Sequence, residues 1–262
     1  MAVYPSGLGT SPKCKEGALK KYGIGLLWAL FIAAGCAVPV GYRYFPGPVC
    51  SVSEKGQAEG AVVMDDGTVQ HSLGRLVIGL KPMADEELNR QFPTVTKEGL
   101  NPYTYGTWRP MGEKDTPRRF TVFRLNVKNY EFPKMEVDPI KAEIVTSNGR
   151  KYAPFNLLEL DNYFSRYAAG YAGNPYKGFR VRMDILKKTL YPKDTVFSGQ
   201  EQEGYIVFPP LPPDVTDFTV RLRDVVLRFD YRKEPLETVD LSFCFERKVQ
   251  LEHVGGGYTA SP

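Results

Sequence analysis

The feature that most constrains this chain is the alternation in its last third. Val239, Leu241, Phe243 and Phe245 are apolar, while Thr238, Asp240, Ser242, Cys244 and Glu246 interleave them with polar groups. A period of two places the first set on one side of an extended chain and the second on the other; a helix would scatter both sets around its circumference. Phe218, Val220 and Leu222 alternate in the same way, and so do Leu227, Phe229 and Tyr231. Strands with one apolar and one polar face bury their apolar faces against one another, which predicts two packed antiparallel sheets.

The upstream sequence extends this pattern. Ala61–Met64 and Thr68–His71 flank an Asp65-Asp66-Gly67 turn, a hairpin signal. Leu76–Leu80 is a short apolar strand, and Ala84–Phe92 reads as a short helix stopped by Pro93, with Leu88 and Phe92 four residues apart. A long loop over 94–118 leads to a strong strand over 120–128. There Phe123, Leu125 and Val127 alternate with polar residues, but Phe120 and Val122 fall on the opposite phase, which predicts a bulge or burial on both faces. A strand over 140–146 returns through Ser147-Asn148-Gly149-Arg150 into 151–155. Residues 156–176 carry Leu157, Leu160, Phe164 and Tyr167 at helical spacing, with Gly170 as a stop, and form the one sizeable helical insert. Phe179, Val181 and Met183 alternate and read as a strand. Residues 196–208 contain a turn at Gly199 and the strand Gly204–Phe208, and Pro209–Pro213 is a rigid break. Eight or nine short strands separated by turns predict an all-β antiparallel sandwich over 61–250, and the 13% aromatic content with 21 Pro and 25 Gly suits strands and turns.

The N-terminus has a different character. Lys13, Lys15, Lys20 and Lys21 precede an uncharged run of 21 residues, Tyr22 to Tyr42. Basic residues ahead of such a run keep the N-terminus cytoplasmic and place everything after it outside. Two readings stand side by side. The run is long enough for an uncleaved transmembrane helix, although Pro39 weakens its far end. Its apolar core, Ile24–Gly35, also has the length of a signal-peptide hydrophobic region. That core ends in Ala33-Ala34-Gly35-Cys36, which resembles the lipobox of bacterial lipoproteins and implies a lipid-attachment role for Cys36. The expected organisation is a signal peptide or membrane anchor over 1–35, a Pro- and Gly-rich tether over 36–60, the sandwich over 61–250, and a disordered tail over 251–262. Without residues 1–35 the chain has 30 basic and 29 acidic residues, so no basic surface for nucleic acid is expected. In an oxidising compartment Cys50 and Cys244 are candidates for a disulfide; two unpaired thiols are the alternative.

Several segments together resemble the immunoglobulin-like domains of bacterial lipoproteins of unknown function. They are Phe120-Thr-Val-Phe-Arg-Leu-Asn-Val-Lys-Asn129, Asp138-Pro139, the hairpin from Ile144 through Ser147-Asn148-Gly149-Arg150 to Pro154, and Gln202-Glu-Gly-Tyr-Ile-Val-Phe208. The helical piece Ala84–Phe92 fits the same pattern, and the resemblance covers roughly residues 76–230. It departs in the insert at 156–180 and the loop at 94–118. The resemblance implies an immunoglobulin-like fold and an extracytoplasmic place, and no chemistry.

Catalytic and cofactor signatures are absent from the sequence. His71 and His253 are the only histidines, one beside a turn and the other beside the glycine tail. No H-E-x-x-H, phosphate-binding loop, G-x-S-x-G, C-x-x-C or Cys/His cluster occurs, so no catalytic residue, metal or cofactor is expected, and a small-molecule substrate is not indicated. Paired glycosidase carboxylates have no local motif, which keeps an envelope hydrolase as a distant third reading. The aromatic clusters are the candidate contact residues: Tyr103, Tyr105 and Trp108 in the Pro/Gly loop, and Tyr163, Tyr167, Tyr171 and Tyr176 among Ala, Gly and Asn. Tyrosine among small residues offers large contact area with a polar tip at low entropic cost; the plain alternative is that Tyr163 and Tyr167 dock a helix on the sandwich. The expected function is a non-enzymatic accessory or scaffold subunit, held at the membrane by its N-terminal segment and binding another envelope protein. A cell-wall or glycan-binding module and a single-pass subunit of a larger membrane complex are the alternatives.

Overall fold

The computed structural model describes residues 41–106, 119–168 and 175–254. Residues 44–252 make up one unit, and the described residues 41–43 and 253–254 belong to a second. The chain is mostly β, with two antiparallel sheets and few helices.

The five-stranded sheet contains β2 (Ala61–Val63), β3 (Val69–Leu73), β4 (Leu76–Pro82), β5 (Thr121–Asn129) and β10 (Gln200–Phe208), in the order β10-β5-β4-β3-β2. The seven-stranded sheet contains β1 (Gly41–Ser51), β6 (Lys134–Glu136), β7 (Ala142–Thr146), β8 (Lys151–Tyr152), β9 (Thr195–Phe197), β11 (Asp217–Phe229) and β12 (Pro235–Val254). Its order is β1-β12-β11-β6-β9, and β7 also pairs with β11 and carries β8. Between the sheets lies a core that includes Ile78, Phe123, Leu125, Val127, Ile206 and Phe208 from the first sheet and Phe218, Val220, Leu241, Phe243 and Phe245 from the second. These are the apolar phases of the alternation.

The two-phase strand β5 is buried on both faces at its start. Phe123, Leu125 and Val127 point into the sandwich, while Phe120 and Val122 join a second core with Tyr205 and Val207 on the opposite face of the same sheet. Helices cover that face: α1 (Asp85–Gln91), α3 (Leu157–Ala168) and α4 (Pro175–Thr189) contribute Leu88, Leu160, Phe164, Met183 and Leu186, and the short α2 (Pro93–Lys97) follows α1. The short helical insert of the sequence reading is therefore part of a third layer. The start of α3 is capped reciprocally, with Glu159 N donating to Asn156 Oδ1 at 2.9 Å and Asn156 N to Glu159 Oε2 at 2.8 Å.

The structure corrects four sequence expectations. Phe179, Val181 and Met183 lie in helix α4 and not in a strand. The spacing that matters is Phe179, Met183 and Leu186, one helical face docked on the second core, and the alternation at Val181 is incidental. Residues 41–51 of the predicted tether form β1. Pro46 and Pro48 are tolerated because β1 is an edge strand, where a missing N–H need not break a ladder. Residues 251–254 of the predicted tail continue β12. Finally, Phe218–Leu222 and Leu227–Phe229 are one strand, β11, with a register shift between Leu222 and Val225. Asp224 there has φ 52°, and the extra residue moves the positions that join the inter-sheet core from even (218, 220, 222) to odd (225, 227). The irregularity coincides with a change of neighbour, because 218–222 pair with β7 and Val226 pairs with β6.

The predicted anchor, including Cys36, lies outside the described residues except for Gly41 and Tyr42 at the start of β1, and residues 255–262 of the tail lie outside them too. Among the described residues no helix is long and apolar enough to cross a membrane.

Candidate functional site

The Pro/Gly loop owes its place to polar groups. Asn101 is fully buried; its Nδ2 donates to the Leu88 carbonyl, Asn89 Oδ1 and Thr96 Oγ1, each at 3.2 Å, and its Oδ1 accepts from Tyr103 N at 3.0 Å. Gly106 follows with φ 63°, and a Cβ there would stand 2.4 Å from the Thr96 carbonyl oxygen, so only glycine fits. Residues 101–106 are thereby pinned beneath α1 and α2. Tyr103 is inserted among Phe92 and Tyr205, with ring centroids 6.0 and 5.0 Å away, and its hydroxyl hydrogen-bonds Thr189 Oγ1.

The predicted contact residues therefore divide. Tyr103 is not a contact residue: it is fully buried, and burial pushes its phenol well above the ordinary range. Tyr105 is half-buried beneath the Arg119 guanidinium, 4.5 Å from its ring centroid. Tyr163 is half-buried and packs edge-on against Phe120 and Phe164, both at 5.1 Å, which docks α3 on the sheet. Trp108 and Tyr171 lie outside the described residues, and so do the side chains of Tyr167 and Tyr176. The structure thus brings Tyr103 to the second core together with Tyr163 and leaves neither as an open surface.

Cys50 and Cys244 are free thiols, so the bridge weighed from the sequence is not formed. Cys50 Sγ faces the Pro48 carbonyl and Cys244 Sγ faces Thr219 Oγ1, each at 3.8 Å. Val52, two residues past Cys50, donates its N–H to the Cys244 carbonyl at 3.2 Å. A two-residue offset across neighbouring strands separates the Cα atoms by roughly 8 Å, beyond the ~7 Å that a disulfide spans. His71 is structural, its Nε2 2.9 Å from the Ser242 carbonyl of the facing sheet and its ring edge-on to Phe243. Among the described residues no group of three or more His, Cys, Asp or Glu could hold a metal ion.

Two features that the sequence reading did not single out are open to solvent. The first is the tip of the β11–β12 hairpin, where Tyr231 is 86% and Leu236 70% exposed. Asp230 builds this turn by accepting at Oδ1 from Arg232 N and Glu234 N, both at 2.8 Å, while Lys233 takes φ 66°. Arg232 lies 5.1 Å over the Tyr231 ring, and Arg228 pairs with Glu237 at 3.2 Å. The sequence places Tyr231 in phase with Leu227 and Phe229, but the run Asp230-Tyr-Arg-Lys-Glu-Pro235 has turn composition, and that was the available signal. At the other end of β12, Gly47 lies against the Lys248 carbonyl and Val52 against that of Cys244, so β1 runs antiparallel to it. The stretch from Leu236 to Lys248 spans roughly 40 Å of strand, and the tip is therefore remote from where the chain enters the sandwich.

The second feature is a cleft of about 280 Å³ on the outer edge of β10. Two segments cover that edge: Phe155 N donates to the Val207 carbonyl at 2.7 Å, and Tyr191 N to the Tyr205 carbonyl at 2.9 Å. The cleft opens where they part, over Ile206. Tyr191 lines it, 3% exposed, with a hydroxyl that has no hydrogen-bond partner and a phenol raised by burial and then by Asp194. Tyr205, also lining it, is pushed up to about 12, chiefly by burial, and its hydroxyl donates to Gln91. At the rim, Lys193 lies 2.8 Å from Asp138 Oδ2, a hydrogen bond and charge that hold its ammonium protonated beyond the usual range.

Fold and surface together define a β-sandwich with a helical layer on one outer face. Comparison with solved structures finds similarity to a secreted protein from Mycobacterium tuberculosis, MPT63, with 12% sequence identity over 62% of this chain and 90% of that one and a TM-score of 0.29. No family model matches the chain, and no curated protein matches it.

Proposed function

We propose that the chain is a non-enzymatic accessory or scaffold subunit of an envelope assembly. Its immunoglobulin-like sandwich is carried outside the cytoplasmic membrane and held there by the N-terminal segment, with Cys36 as the lipid-attachment site, and it binds another envelope protein. The hairpin tip is the observation that carries the partner-binding half of this reading. An aromatic and an aliphatic side chain, 86% and 70% exposed, are held on a turn locked by Asp230. Tyrosine and arginine, which stand together here as Tyr231 and Arg232, are enriched among the side chains that anchor interfaces. A glycan platform has less support, since Tyr103 is buried and Tyr105 and Tyr163 stack on neighbours.

The test is photocrosslinking of the full-length protein in its own membranes, with a photoreactive residue at Tyr231, at Leu236 or at the exposed control position Lys55. The expected result is one discrete envelope protein captured from both tip positions and not from Lys55. Capture that is equal at all three positions, or absent from the tip, would overturn the reading.

A further inference from the structure

We propose that the cleft on the β10 edge binds a small anionic amphiphile, namely a single acyl chain ending in a carboxylate. The walls argue for the chain. Ile140 at the rim is 57% exposed, and Pro154, Phe155, Leu190 and Pro192 continue inward to Ile206. A volume of about 280 Å³ lies at the small end of the range for ligand pockets, which are mostly apolar with a few placed polar groups. An apolar rim left in water is stabilised by an acyl chain laid against it.

The polar groups argue for the head. Lys187 and Lys193 line the cleft and no acidic side chain does. Asp138 already neutralises Lys193. Lys187 is exposed and is in no ion pair among the described residues, so it is the cation available to a carboxylate. The site is separate from the hairpin tip and does not rest on the partner-binding reading.

The experiment uses the full-length protein in its membranes, a ten-carbon carboxylate with a diazirine at its tail, and the alcohol of the same length as the uncharged probe. Adducts are mapped by mass spectrometry. On this proposal the carboxylate labels residues within 154–157, 190–193 or 205–207, and excess decanoate suppresses the labelling. Reversing the exposed charge with Lys187→Glu lowers the yield about fivefold, to the level of the alcohol. Ile140→Asp, at the exposed rim, lowers labelling by both probes. Adducts confined to other segments, labelling of these segments that decanoate does not suppress, or a yield unchanged in both variants would overturn it. Crosslinks from Tyr231 are scored separately, so either proposal can fail alone.

Discussion

Gln57 shows how one side chain can finish a sheet. Strand β1 ends at Ser51, and beyond it the Gln57 amide takes the place of a peptide group. Its Nε2 donates to the Val52 and Cys244 carbonyls at 2.9 and 2.8 Å, and its Oε1 accepts from Cys244 N at 2.9 Å. Gln57→Ala leaves the half-buried Cys244 N–H and the Val52 and Cys244 carbonyls without that partner, and a loss of about 2 kcal/mol in urea unfolding is expected. The buried tyrosines make a pH prediction at the same scale. Tyr205 titrates at about 12 when folded, chiefly through burial, against an ordinary value near 10. The folded state holds this proton more tightly than the unfolded chain does, so its contribution is complete below about pH 10 and is lost as pH rises through about 12. Tyr103 and Tyr191 are shifted in the same direction. The urea midpoint is expected to fall steeply between about pH 10 and 12, and less steeply in Tyr205→Phe.

At the scale of elements, the vulnerable point is the edge of β10. Gly204 lets the chain at Leu190–Tyr191 lie against that edge, and a Cβ there would stand 2.5 Å from Tyr191 Cα and 2.6 Å from its N. Both contacts are backbone, so neither can swing aside. Gly204→Ala is expected to push the covering segment away, break the Tyr191 N to Tyr205 carbonyl bond and uncover a strand edge that templates association. Faster amide exchange at Tyr191 together with concentration-dependent oligomers in sedimentation would show it; a monomer with unchanged exchange would refute it. Strand β11 manages its irregularity differently. Asp224 accepts a positive φ, its N–H donates to Asp240 Oδ1 at 2.8 Å and its carboxylate meets Lys141 at 3.0 Å, so the residue that disrupts the register is held from two sides.

For the whole molecule, two cores share one sheet. The inter-sheet core includes Phe123, Phe208, Phe243 and Phe245, and the helix–sheet core includes Tyr103, Phe120, Phe164 and Leu186. Because β5 and β10 contribute to both, loss of the helical layer would expose one face of a central sheet. The anchoring proposal is also tested at this scale, by the intact mass of membrane-extracted protein. A species beginning at Cys36 and carrying acyl chains is expected; a species retaining residues 1–35 would replace the lipid anchor with a membrane helix.

The strands were legible in the sequence wherever one face meets a core and the other meets water. The alternation at 239–245 directly reports which side of β12 is buried, and the turns at Gly67, Gly149 and Gly199 announce themselves because each takes a positive φ. The double phase at Phe120 and Val122 left a bulge or burial on both faces, and the start of β5 shows the second. What local pattern could not supply was the identity of the opposing surface. Phe179, Val181 and Met183 fit a strand as well as a helix until the second core, with Phe164 and Val207, takes up Phe179 and Met183, and Tyr103 looks like a contact residue until Asn101 folds its loop inward. The same holds for the exposed groups. Tyr231 keeps the phase of its strand but lies past its end, and the cleft is built from segments far apart in the chain. Periodicity along a chain determines which residues share a side; only tertiary contact determines what that side faces, because burial is a property of two surfaces together.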